Sequence, residues 1–98
     1  MALVEKTFHA PYVRIYQNLN STAVSKTTGI FDSIQVTSNL ATDDATFNLT
    51  PLGSSTVTGR QVSSGDTIHG PFTDFEITTA TDDEVVVIVH ERSNITTN

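Results

Sequence analysis

The sequence predicts an all-β domain, a compact antiparallel β-sandwich or barrel of jelly-roll-like type built from two similar hairpins. Apolar and polar residues alternate with period two in runs that turn residues interrupt about every ten positions. These runs are rich in β-branched and aromatic residues, and helical periodicity is hard to find. The three prolines fall outside the runs or at their first residue, where a missing amide donor harms a β-ladder least.

Four strands are predicted in the first part of the chain. The first follows Pro11, and the Gly-Ser-Ser turn after Pro51 separates the third from the fourth. The runs are YVRIYQN at 12–18, IFDSIQVTS at 30–38, ATFNLT at 45–50 and STVTGRQVS at 55–63.

Three more strands follow a Ser-Ser-Gly-Asp turn. They are DTIH at 66–69, FTDFEITT at 72–79 and EVVVIVHE at 84–91. The Gly-Pro pair between the first two predicts a sharp corner at which the chain changes sheets. Together the seven strands make residues 12–92 a single β domain, which an N-terminal arm of residues 1–11 precedes and a polar tail of residues 93–98 follows.

The chain uses nearly the same phrase twice, GIFDSIQVTSNLATDDA from residue 29 and GPFTDFEITTATDDE from residue 70. If Ala80-Thr81-Asp82-Asp83 is a four-residue hairpin loop, one face of each copy is apolar. That inward face consists of Ile34, Val36, Phe47 and Leu49 in the first copy and of Phe75, Ile77, Val86 and Ile88 in the second. Phe31 and Phe72 are out of phase with it, which predicts a β-bulge after each Gly-x-Phe.

The predicted outward faces of the two copies differ. Thr46, Asn48 and Thr50 of the first copy correspond to Val85, Val87 and Val89 of the second. An outward valine row is expected to be covered by another segment or by a second subunit. We therefore predict a homo-oligomer with partner contacts at these three valines and, on the N-terminal arm, at Leu3, Val4 and Phe8.

The paired aspartates at the end of each phrase allow a second interpretation. If the two copies bring their loops together, Asp43, Asp44, Asp82 and Asp83 supply the oxygen ligands that calcium prefers. Solvated turns, in which each aspartate caps its own backbone, are the expected alternative and are favoured, because no known calcium-loop spacing is present.

Composition argues against several classes of function. Eleven acidic against five basic residues give a formal net charge of −6, and the basic residues form no cluster that could follow a phosphate backbone, so no nucleic-acid partner is expected. No apolar run is long enough for a membrane span. The sequence has no cysteine, and no nucleophile elbow, phosphate loop or metal-ligand spacing is recognisable, so we expect neither an enzyme nor a bound cofactor.

Residues 63–92, SSGDTIHGPFTDFEITTATDDEVVVIVHER, resemble the C-terminal part of small virion proteins of tailed bacteriophages. The likeness rests on a Gly-Asp turn, a Gly-Pro-Phe turn and a final valine-rich strand. The resemblance implies a structural virion component assembled in the bacterial cytoplasm, for instance a capsid decoration or cement protein. Such a protein is usually trimeric and binds the major capsid protein or another virion protein.

Two alternatives to capsid decoration remain open at this point. The same resemblance allows a tail, baseplate or fibre adaptor or a receptor-binding component. The paired aspartates allow a calcium-dependent adhesion module.

Overall fold

The computed structural model describes residues 12–20 and 22–92, which form one antiparallel sheet of seven strands. The strands are β1 (Tyr12–Tyr16), β2 (Val24–Lys26), β3 (Ile30–Thr37), β4 (Asp44–Pro51), β5 (Val57–Ser63), β6 (Thr67–Ala80) and β7 (Val86–Arg92). Their order in the sheet is β1-β7-β3-β6-β4-β5, and β2 also pairs with β6. The predicted all-β class is confirmed, and the sheet is not closed into a barrel.

The long strand β6 belongs to two layers. Its first half, Thr67 to Phe72, pairs with β3, and its second half, Phe72 to Ala80, pairs with β4. The first layer therefore contains β1, β7, β3 and the first half of β6, and the second contains the other half with β2, β4 and β5. Because the described residues include no helix to cover an apolar sheet face, the sheet covers itself by folding over at β6.

The core lies between the two layers. Its fully buried members come from both layers and include Phe31 and Ile34 from β3 and Phe47 and Ile77 from β4 and β6. The ring of Phe75 contacts Phe31 edge to face, with centroids 4.8 Å apart. It also meets Tyr16 of β1 at 5.8 Å. Phe75 lies in the second layer and Tyr16 in the first, so these rings join the layers directly.

The two bulges predicted from the repeat are present. In β3 the register shifts between Phe31 and Ser33 on both of its edges. In β6 the residues opposite Pro51 and Thr50 are Phe72 and Asp74, so Thr73 is the extra residue. Each bulge turns the preceding phenylalanine into the core, where Phe31 and Phe72 are buried.

The pairing predicted within each copy is wrong. The strands of the first phrase, β3 and β4, do not pair with each other, because β6 lies between them in the sheet. Strands β6 and β7 of the second phrase are likewise separated by β3. Instead, β3 pairs with both strands of the second phrase, so the two copies interleave and their aspartate loops cross between the layers.

Interleaving extends to the whole described part of the chain. Every strand pair joins one of β1 to β4 with one of β5 to β7. Among these pairs β4 and β5, which residues 52–56 connect, form the hairpin between the two groups.

Two strand assignments from the sequence also change. The predicted strands 66–69 and 72–79 are one strand, since β6 continues through the cis Gly70–Pro71 bond. The predicted corner is thus the place where one continuous strand changes layers. Strand β2 was not predicted, because its three residues, VSK, are too few for an alternation to be visible.

Candidate binding surfaces

The valine row predicted to face outward lies in the core. Val85, Val87 and Val89 are each 0% exposed. Two of them lie opposite buried residues of β3, since Val36 pairs with Val87 and Ile34 with Val89. The predicted face is wrong by one residue, and a one-residue slip exchanges all inward and outward side chains of a strand. These valines are therefore not available to a second subunit.

An apolar surface nevertheless exists on the other side of the same strand. Ile15 of β1 lies opposite Ile88 of β7, and Val13 lies opposite His90. Directly opposed residues of an antiparallel pair share one face of the sheet. Val13 and Ile15 are 53% and 60% exposed, whereas Val86 and Ile88 are half-buried. We call Val13, Ile15, Val86 and Ile88 the outer apolar face.

The orientation of β1 depends on an ion pair beneath this face. Arg14 and Tyr16 lie opposite the buried residues Val89 and Val87, so they point inward. The guanidinium of Arg14 donates to the carboxylate of Glu91, which is buried. Burial raises the pKa of the Tyr16 hydroxyl, while the positive charge of Arg14 opposes that rise and Glu91 adds to it. Because neighbouring side chains of a strand point to opposite faces, Val13 and Ile15 face solvent.

The two aspartate loops do meet, as the calcium interpretation required. The hydroxyl of Thr81 donates to Asp43 Oδ1 at 3.1 Å, and the amide of Asp44 donates to that hydroxyl at 3.0 Å. Ser38 donates to the other oxygen of Asp43. The carboxylate of Asp43 is buried and accepts from two hydroxyls, so the loops are joined by hydrogen bonds.

The four aspartates are not gathered into a metal site. Within residues 12–20 and 22–92, no group of three or more acidic or histidine side chains could hold a metal ion. Asp82 accepts from the backbone amide of Glu84 at 2.7 Å, which is the turn arrangement that the sequence favoured. Asp83 is exposed.

Asp43→Ala is expected to lower the free energy of unfolding by about 2 kcal/mol, because it leaves Ser38 and Thr81 without their charged acceptor. The matched control is Asp83→Ala, which removes an exposed aspartate from the other loop and is expected to change that free energy by less than about 0.5 kcal/mol. Urea denaturation measures both. Equal effects of the two substitutions would contradict the proposed role of Asp43.

A groove opens between β5 and the first half of β6. It is lined by Leu49, Pro51, Val57, Arg60, Ile68, His69 and Phe72, is open to solvent and has a volume of about 260 Å³. An adjoining depression beside Leu52 shares Pro51, His69 and Phe72 with it. Sequence reasoning missed this groove, because it forms where β5 and β6 diverge to pair with different partners.

Comparisons with known proteins found no match: no family model, no curated protein and no solved structure is similar to this chain. Leu3, Val4 and Phe8, the predicted contacts of the arm, lie outside the described residues. In the part of the chain that the structure covers, no helix is long and apolar enough to cross a membrane.

Proposed function

We propose that the chain is a non-enzymatic structural protein that acts by protein–protein contacts, and that it decorates and stabilises the capsid of a phage virion. The observation that carries the first part is the outer apolar face, which places two exposed aliphatic side chains beside two half-buried ones on one sheet surface. The virion setting is supported by the resemblance of residues 63–92 to small virion proteins.

The surroundings of the outer apolar face suit a protein partner. Val86 lies opposite Thr37 and Ile88 opposite Gln35, so the apolar residues are bordered by uncharged polar ones on β3. Ser33, His69 and His90 continue this border across three strands. An apolar centre with a polar rim is the composition of protein interfaces.

Ile15→Asp tests the contact surface. Ile15 is 60% exposed, so the substitution leaves the core intact but places a charge in the centre of the outer apolar face. We expect it to weaken self-association and binding to capsids at least about tenfold. The matched control is Leu40→Asp, since Leu40 is 54% exposed but lies in the β3–β4 connection. Sedimentation over a concentration series measures the self-association of the two variants, and co-sedimentation with capsids measures their binding.

Three outcomes decide the proposal. A strict monomer that also fails to bind capsids would contradict it. Equal binding of the two variants would contradict the assignment of the outer apolar face. Labelling that locates the protein on tails rather than on capsids would replace decoration by the tail-adaptor alternative.

A further inference from the structure

The apolar interior of the domain is open along the groove between β5 and β6. Val57 lies opposite Leu49, which is 4% exposed, so both point to the core side of the second layer. Yet Val57 is 47% exposed. Ile68 of the first layer lies opposite the buried Ile34 and is also only partly buried. Core-facing side chains remain exposed here because no strand of the described chain fills the space between the layers' edges.

Strand edges border this opening on both sides. β5 is the last strand in the sheet order, and among the described strands it pairs with β4 alone. Residues 67–69 of β6 pair with β3 on one edge, whereas pairing with β4 begins at Phe72. The edges of β5 and β6 diverge from the turn at residues 64–66. This turn is bound to β3, because the amide of Val36 donates to the carbonyl of Asp66 and the amide of Gly65 donates to the carbonyl of Val36. An edge with unpaired backbone groups is a template for an added strand.

Arg60 is the charged side chain among the groove walls. It lies opposite Phe47, so its side chain starts on the core side of β5. No acidic residue is among the groove walls, although the chain as a whole carries a formal charge of −6. The ion pairs of the described residues involve Arg14 and Arg92, so the guanidinium of Arg60 has no carboxylate partner there.

We infer that this groove binds an extended segment of a partner protein, which adds as a strand beside β5 or β6, inserts an apolar side chain between Val57 and Ile68 and presents a carboxylate to Arg60. Backbone pairing supplies affinity in this mode, and the side-chain positions supply specificity. This proposal rests on the proposed function in one respect, namely that the chain acts by binding another protein.

The test uses three labelled hexapeptides with amidated C-termini and the full-length protein. The first is Thr-Val-Thr-Val-Thr-Asp, the second ends in Asn instead of Asp, and the third is the first with alternate backbone amides methylated. Fluorescence polarisation is expected to show binding of the first peptide, about fivefold weaker binding of the second because it lacks the charge, and at least about tenfold weaker binding of the third because it cannot pair as a strand.

Two variants assign the binding to the groove. Arg60→Gln is expected to weaken the Asp peptide about fivefold and to leave the Asn peptide unchanged. Val57→Asp places a negative charge on the apolar wall, which repels the carboxylate of the Asp peptide, and is expected to abolish binding of that peptide. Leu40→Asp is the control, because it introduces the same charge at an exposed position outside the groove. Amide chemical shifts in residues 57–61 and 67–70 are expected to move on titration.

Four results would overturn the inference. They are no binding of any peptide at millimolar concentration, equal binding of the methylated peptide, equally tight binding of N-acetylvaline, and self-association that Val57→Asp abolishes. The third would indicate a small-carboxylate site and the fourth a second copy in the groove. Repeating the titration on Ile15→Asp separates the two proposals, because that variant disrupts the outer apolar face and leaves the groove intact.

Discussion

Val87→Asp is expected to prevent the chain from folding rather than to dissociate folded subunits. Val87 is 0% exposed and lies between Tyr16 of β1 and Val36 of β3, so an aspartate there has no water. Arg14, the inward cation of β1, is already paired with Glu91. The expected loss exceeds about 4 kcal/mol, a large share of the roughly 5–15 kcal/mol by which a domain of this size is stable. Circular dichroism and the dispersion of amide NMR signals measure it.

The neighbouring substitution Ile88→Asp is the matched control. Ile88 is half-buried on the outer apolar face, one residue away on the same strand. We expect this variant to fold, with a loss of about 1 kcal/mol in the free energy of unfolding, and to associate more weakly. If Val87→Asp folded and Ile88→Asp did not, the faces of β7 would be the reverse of those described.

Gly70→Ala is expected to lower the free energy of unfolding by about 3 kcal/mol. A Cβ atom at this position would lie 2.5 Å from the carbonyl oxygen of Phe31 and 2.7 Å from the amide nitrogen of Phe72. Both are backbone atoms at the point where β6 leaves β3 for β4, so neither can move without disturbing the pairing of the strands.

Gly53→Ala provides the comparison for Gly70→Ala. Gly53 has a φ of +78° and open space around its Cβ position, so alanine meets only backbone strain, which costs about 1 kcal/mol. Urea denaturation of the two variants measures their free energies of unfolding and so separates the cost of the steric clash at residue 70 from the cost of backbone strain at residue 53. A smaller loss for Gly70→Ala than for Gly53→Ala would show that the strand junction tolerates a side chain.

Local features of the fold were predictable from the sequence. Alternation placed Ile34, Val36, Phe47 and Leu49 inward correctly, and all four are buried. The phase shift after each Gly-x-Phe revealed both bulges, because a bulge is the simplest way for a phenylalanine out of phase to reach the core.

The face of β7 was not predictable by the same method. Val85 to Val89 is an unbroken apolar run, so period two assigns neither face. The predicted face came instead from an assumed four-residue hairpin loop. The actual connection crosses between the layers. A short acidic loop is compatible both with a hairpin and with such a crossing, so the loop sequence does not distinguish them.

Neither the strand partners nor the candidate surfaces could be predicted, because both depend on which distant strands pair. The outer apolar face contains Val86 and Ile88, which alternate along β7 with the valines predicted to face outward. Val13 and Ile15 join it only because β1 pairs with β7. The groove exists because none of the described strands covers Val57. Local sequence patterns do not encode which distant strands become neighbours.

The interleaved pairing of β1 to β4 with β5 to β7 has a consequence for how the chain reaches its folded state. During synthesis, residues 12–51 hold four strands, none of which has its partner yet. The hairpin of β4 and β5 is the earliest structure that local contacts can form, and every other pair must close a longer loop before it gains any stability. The bare strands of the first group are thus open to intermolecular pairing until β6 and β7 have been made.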